Sequence, residues 1–241
     1  MDINGSVALV TGANRGLGRA FSAALADAGA ATIYAGVRDP SSISDPRLTP
    51  VELDVTDPTN VAEIAAELAD VEIVINNAGI ATYSLPLEAD IDEARRQLEV
   101  NYLGLLSMSQ VFAPVLARNG GGALVNMLSV ASFAASPQLS TYAASKAAAW
   151  SITNTLRVQL RAQGTLVVAV HVGFVDTDLT EGIDAQKLPP QDVAQAMVRA
   201  LEAGDEEVLV DEISRQVKAG LSDDQNSIYP GIQARFDALV G

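Results

Sequence analysis

The chain contains no cysteine and only one histidine, His171. Without cysteine there is no disulfide, no thiolate zinc site, no iron–sulfur cluster and no cysteine nucleophile. A single histidine removes multi-histidine metal sites, so no metal centre is expected, and a Ser-His-Asp hydrolase would depend on that one residue. Basic residues are also scarce. The 15 Lys and Arg stand against 30 Asp and Glu, for a net charge of −15 over 241 residues. That balance argues against nucleic acid, whose binding runs on Lys/Arg counterion release, and against an anionic membrane surface. Aromatic residues make up 5% and hydrophobic residues 49%, the composition of a soluble globular chain. No basic-then-apolar leader opens the sequence. The Ala-rich stretches are broken by polar residues before the roughly 18 apolar residues of a spanning helix, so a cytoplasmic location and no membrane partner are expected. Chemistry has to come from hydroxyls, carboxylates, Lys/Arg or a borrowed cofactor.

What is present is alternation. Short apolar runs at Val7–Val10, Ala31–Ala35, Val51–Leu53, Val71–Ile75, Ala123–Met127, Leu166–His171 and Val208–Val210 read as strands. Helical spacing fills Gly16–Ala28, Asn60–Leu68, Asp90–Leu116, Tyr142–Leu160 and Gln191–Glu202 between them. Such runs suit a parallel sheet buried on both faces, so residues 1–241 are expected to form one doubly wound α/β domain. The segment with Pro40, Pro46 and Pro50 is too broken for a crossover helix and predicts a short helical turn or loop. Residues 211–241 are longer and more polar than a minimal core needs, and read as a cap on a pocket or an interface.

Two motifs carry chemistry. Thr11-Gly12-Ala13-Asn14-Arg15-Gly16-Leu17-Gly18 follows a strand and opens a helix. Glycine lets the backbone approach a pyrophosphate, and the helix N-terminus offers free N–H groups and a positive dipole end. The same turn also suits a plain strand-to-helix connection. Tyr142 and Lys146 share a helix face at i, i+4, where Lys⁺ can favour phenolate and lower the tyrosine pKa toward neutrality. A surface tyrosine beside its helical neighbour reads the same way. Ser129, at the end of a predicted strand, can donate a hydrogen bond to a substrate oxygen.

Taken together and in order, Thr11–Gly18, Asn76-Asn77-Ala78-Gly79, Asn101, Ser129 and Tyr142-x₃-Lys146 resemble the short-chain dehydrogenase/reductases over most of the chain, up to about Val210. The resemblance implies a Rossmann-type sheet of about seven parallel strands, a nicotinamide cofactor and hydride transfer at a carbonyl or alcohol carbon. It implies that Tyr142 protonates the carbonyl oxygen, Ser129 polarises it, and Lys146 holds the nicotinamide ribose and depresses the Tyr142 pKa. Asn101 would bind a water linking Lys146 to solvent. For the cofactor it implies Gly12, Asn14, Gly16, Leu17 and Gly18 at the pyrophosphate and adenosine, and Asp54-Val55 at adenine. Asn77, Ala78 and Gly79 would line its middle, and Gly173, Val175 and Thr177 the carboxamide; Asn76 reads as a strand-to-strand tie. Val172 stands where the family usually has proline, which puts that loop's rigidity in doubt.

The cofactor choice turns on the tip of the second strand. Arg38 there, with Arg15 from the glycine turn, favours the 2′-phosphate of NADP, whereas Asp39 swinging in would favour NAD. His171 sits in a strand, and a structural role suits it better than a catalytic one. Tyr83, Phe133, Leu139, Phe174, Leu179 and Ile183 are candidates for an apolar pocket, with 178–190 as a lid. The expected reaction is NADPH-dependent reduction of a small apolar ketone or aldehyde. An NAD-dependent alcohol dehydrogenase and a 3-oxoacyl-carrier-protein reductase are the alternatives. The latter would require a basic patch, of which only Arg95, Arg96 and Arg118 offer scattered pieces. The family resemblance also implies a homotetramer or homodimer.

Overall fold

The computed structural model describes residues 1–240. Seven parallel strands form one sheet: β1 (Val7–Thr11), β2 (Thr32–Val37), β3 (Thr49–Glu52), β4 (Ile73–Asn76), β5 (Ala123–Met127), β6 (Leu166–His171) and β7 (Glu207–Leu209). Their order is β3-β2-β1-β4-β5-β6-β7. The chain winds outward from β1 through β2 to β3, then returns to place β4 on the other side of β1. A ligand crevice belongs outside the carboxyl ends of the strands at such a reversal, because the connections leave β1 and β4 in opposite directions. Pro50 is tolerated in β3 because that strand is a sheet edge.

One face of the sheet carries α1 (Gly16–Asp27) and, from later in the chain, Pro190–Ala203; the other carries α2 (Pro58–Glu67), Leu105–Arg118 and Ser140–Leu160. Phe21, Ile33 and Ile75 belong to the first core, while Phe112, Met108 and Leu124 belong to the second. Each such side chain contributes about 1.5–3 kcal/mol by leaving water. Between β2 and β3 the proline-rich segment folds as a single 3₁₀ turn, Pro40–Ser42, capped by the Asp39 carboxylate. Asp57 caps α2 through the amides of Thr59 and Asn60, with Pro58 pre-set at the first helical position.

The stretch expected as one helix from Asp90 is three pieces: α3 (Ile91–Leu98), a π-helical turn over Glu99–Gly104, and α4 (Leu105–Arg118). By length and composition Ile91–Arg118 is apolar enough to cross a membrane, contrary to the sequence expectation. It is nevertheless a core helix here, with Met108, Phe112 and Leu116 fully buried. The remaining helices are α5 (Ser140–Leu160), α6 (Pro190–Ala203), α7 (Glu212–Gly220), α8 (Asp224–Ser227) and α9 (Tyr229–Val240). Asn76 ties strands as expected. Its amide donates to Asn126 Oδ1 at 2.9 Å, and Asn126 donates to Thr153 on α5 at 2.9 Å.

Candidate active site

At the carboxyl ends of the strands lies a cavity of about 1630 Å³. Its first wall is backbone. Gly12 and Gly16 have φ of +66° and +50°, the left-handed region where a side chain is strained. At Gly18 a Cβ would come to 2.1 Å from the Gly12 carbonyl oxygen, so only glycine lets α1 start this close to the turn. The turn is held from behind by Asn77, whose amide donates to the Thr11 carbonyl at 2.9 Å, and by Thr11 Oγ1, which accepts from the amides of Asn77 and Ala78. The N-terminus of α1 has no side-chain cap, which leaves its first N–H groups and dipole facing the cavity. Asn14, Leu17, Val55, Ala78 and Gly79 line the same wall. The Cβ-free cradle and the uncapped helix end fit the pyrophosphate of a dinucleotide.

At the β2 tip, Arg38 lines the cavity beside Asp54. Burial pushes the Asp54 carboxyl up, but hydrogen bonds from Thr56 and the Arg38 charge outweigh it and lower its pKa. Asp39 accepts from the Ser41 amide and hydroxyl at 3.0 and 2.7 Å, so its carboxylate is engaged in the 3₁₀ turn. Arg15 lines the cavity as well, and its guanidinium pairs there with Asp178 of the lid segment at 3.0 Å. Both partners are exposed, so the pair is worth at most about 1 kcal/mol and leaves the arginine easily recruited.

The candidate reacting groups, Ser129, Tyr142 and Lys146, all line the cavity. Tyr142 and Lys146 project from the first turns of α5, and Ser129 ends the β5 loop. Burial pushes the Tyr142 phenol up to about 12, against the lowering by the Ser129 hydroxyl, and pushes the Lys146 ammonium down to about 8. The depression of Tyr142 expected from Lys146 is not seen. The ammonium lies 5.8 Å from the ring centroid and donates to the Met127 carbonyl at 2.8 Å, so desolvation outweighs attraction. Asn101 is fixed by bonds to neighbouring elements. Its side chain accepts from the Ile80 amide and donates to the Ile80 carbonyl and Ser145 Oγ, all at 2.9 Å. Those bonds occupy it in fixing the Gly79–Ile80 loop against α5. A small cavity of about 10 Å³, lined by Thr11, Asn76, Asn101 and Lys146, lies behind it and is of the size of one water.

The loop after β6 places Gly173, Val175 and Thr177 on the cavity. The valine that replaces proline does not loosen it. Val172 is buried, its carbonyl accepts from the Val130 amide at 2.9 Å, and Asp211 Oδ2 accepts from the Gly173 amide at 2.7 Å. Asp211, which also caps α7 through Ser214, was not singled out from the sequence. An Asp three residues before a Ser at a helix start was its only visible signal.

Of the pocket candidates, Tyr83, Leu139, Phe174, Leu179 and Ile183 line the cavity. Phe133 does not. It turns away to stack on His171, with ring centroids 4.1 Å apart, and meets Trp150 edge-on at 4.8 Å. The C-terminal segment, expected to cap a pocket or an interface, lines this cavity. Ile213 and Val217 of α7, Ile228, and Ile232, Phe236 and Leu239 of α9 make the far wall. Spacing of four residues from Ile228 to Ile232 to Phe236 puts them on one helix face.

Comparison with known proteins follows the same outline. The family described as short chain dehydrogenase matches residues 6–188. An uncharacterized oxidoreductase of Staphylococcus epidermidis is 32% identical over 207 residues, covering 81% of this chain and 90% of that protein. The crystal structure of a short chain dehydrogenase from Burkholderia cenocepacia in complex with NADP superposes with a TM-score of 0.92 at 37% identity, over 96% of this chain and 99% of that one. A 3-ketoacyl-(acyl-carrier-protein) reductase from Brucella melitensis, complexed with NADH, gives a TM-score of 0.78 at 26% identity, over 86% of this chain and 96% of that one.

Proposed function

The chain belongs to the short-chain dehydrogenase family, and from that premise we propose that it is an NADPH-dependent reductase of apolar ketones or aldehydes. A nicotinamide dinucleotide bound along the glycine turn supplies the hydride. The cavity's own residues do the rest. The uncapped start of α1 and the backbone of Gly12, Gly16 and Gly18 take the pyrophosphate. Ser129 Oγ and the Tyr142 hydroxyl both donate to the carbonyl oxygen, and Tyr142 gives it a proton. The raised phenol pKa keeps that proton in place until negative charge develops on the oxygen. Lys146 lies close enough to the phenol to stabilise phenolate as it forms, and the water-sized cavity behind Asn101 offers a path to restore the proton.

The choice of NADPH rests on Arg38 at the β2 tip while Asp39 is committed to its turn. The relative in complex with NADP supports the same reading. The apolar substrate follows from Ile213, Ile232 and Phe236 of the far wall together with Phe174 and Ile183 beside it, an apolar surface edged by polar residues such as Gln216 and Arg235. A carrier-protein reductase is the second reading, favoured by the Brucella melitensis neighbour.

The observation that carries the proposal is the convergence of Ser129, Tyr142 and Lys146 on one cavity with the glycine cradle. The test is reduction of butanone, acetophenone, 2-decanone, decanal and a carrier-bound 3-oxoacyl thioester with NADPH and with NADH. Tyr142→Phe is expected to lower kcat by roughly 10³-fold while NADPH still quenches protein fluorescence. Undiminished turnover in that variant would remove the mechanism. Turnover of the carrier-bound substrate alone would favour the second reading.

A further inference from the structure

The mechanism above leaves His171 unused, yet it is fully buried at the end of β6, directly beneath the serine loop. Its Nδ1 lies 3.1 Å from the main-chain carbonyl oxygen of Ser129. A carbonyl only accepts, so Nδ1 carries the proton. The ring stacks on Phe133, from the same loop, at an interplanar angle of 24°. Its other nitrogen, Nε2, has no hydrogen-bond partner and lies 3.9 Å from Glu207, which Lys218 holds at 2.6 Å. Burial pushes the imidazole down to about 4, so at neutral pH the ring is an uncharged donor.

The serine loop explains what that donor does. The Ser129 carbonyl and the Val130 N–H belong to one peptide unit. Val130 N–H donates to the Val172 carbonyl at 2.9 Å, and the Ser129 carbonyl accepts from His171 Nδ1. Consecutive residues of the β6 end therefore grip opposite edges of a single plane. Ser129 Oγ then accepts from the Ala131 amide at 3.1 Å, so its position follows that of the plane. Its proton reaches the Val172 carbonyl only at 3.5 Å, a long contact that an oxygen arriving closer in the cavity can replace. The Ser129 amide is fixed separately by Ser132 Oγ at 3.2 Å.

We propose that His171 is a positioning residue for the reaction, holding the Ser129–Val130 peptide through Nδ1–H so that the Ser129 hydroxyl faces the substrate carbonyl. This rests on the role given to Ser129 above. Without the donor, the buried Ser129 carbonyl keeps only the Ser132 amide of its own turn, at 3.0 Å, and the Val130 amide is left as the peptide's one tie to the β6 end, so the plane is held less firmly.

The test compares His171→Phe, His171→Asn and Ser129→Ala with the parent, using NADPH and acetophenone or whichever carbonyl compound of the panel turns over fastest. Asparagine places an N–H at nearly the reach of Nδ1; phenylalanine keeps the ring and the stacking but has no donor. His171→Phe is expected to lose about 10-fold in kcat with the NADPH dissociation constant unchanged, and His171→Asn to recover to within about 3-fold of the parent. Melting temperature separates this from packing, because asparagine leaves a void and is the less stable variant of the two. As the chain has one histidine, a nitrogen-15 histidine spectrum reads a single ring, and Nδ1–H is the expected tautomer. Parent-like kcat in His171→Phe, equal losses in both histidine variants, or an Nε2–H tautomer would overturn the proposal. If Ser129→Ala keeps full activity, the serine's role fails first and the histidine's with it. If only the histidine variants keep activity, the serine stands and this inference alone is lost.

Discussion

The two walls of the cleft are made of different material. On the glycine-turn side, contact is made by backbone: three glycines, an uncapped helix start and the Asn77–Ala78 loop, held by Thr11. On the side of α7 and α9, contact is made by side chains, Ile213, Ile232 and Phe236 among them. The family match ends at residue 188, before that second wall begins. A backbone wall can recognise only what every dinucleotide shares, and it fails as a unit when a Cβ intrudes. A side-chain wall is altered one residue at a time, so it is where a substrate can be chosen without disturbing the cofactor.

Gly18→Ala should be the harshest test of the first wall. The added Cβ meets the Gly12 carbonyl oxygen, so about 3 kcal/mol of stability should go, together with most NADPH affinity. Denaturant melts with and without NADPH measure both. A parent-like melt would mean that the cradle is looser than its geometry implies.

Acid titration probes the joint between the walls, where His171 meets Glu207 and Lys218 of the C-terminal side. The folded imidazole is held at about 4 by burial, below its ordinary value of 6.5, so the unfolded chain takes up the proton first as pH falls. Stability from this group is complete above pH 6.5 and is lost as pH falls toward 4, by about 3 kcal/mol. His171→Phe should flatten the stability curve between those limits, as urea unfolding at several pH values would show.

The smallest effect belongs to the second wall. Phe236→Asp should lower kcat/KM for 2-decanone about 10-fold, leaving butanone turnover and NADPH affinity as they were. Equal losses on both ketones would make α9 a part of the common site and dissolve the contrast.

Strand and helix alternation, the glycine turn and the Ser129, Tyr142, Lys146 set were legible because each is a local pattern. Apolar runs of strand length need both faces covered, and Gly18 cannot be replaced where α1 begins. The breaks in that legibility fall where a side chain's direction is set by distant neighbours. Phe133 is apolar and close to Ser129 in sequence, yet the stack with His171 and Trp150 draws it away from the cavity. Asn101 has the expected place, and the bonds that fix it there come from Ile80 and Ser145 on other elements. Arg15 lines the cavity as expected, but its ion-pair partner, Asp178, is 163 residues away and invisible to any local pattern.

The sequence by itself determined the sheet and the glycine cradle, and its motifs marked Ser129, Tyr142 and Lys146 as candidates, since periodicity, glycine and helical spacing act within a few residues. Only the tertiary structure decided that the Tyr142 phenol is raised rather than lowered, because burial is a property of everything packed around a group. It also decided which residues of the C-terminal helices line the cleft, and that the one histidine lies against the Ser129 carbonyl. Those are matters of which distant segments meet, and no local pattern records a meeting.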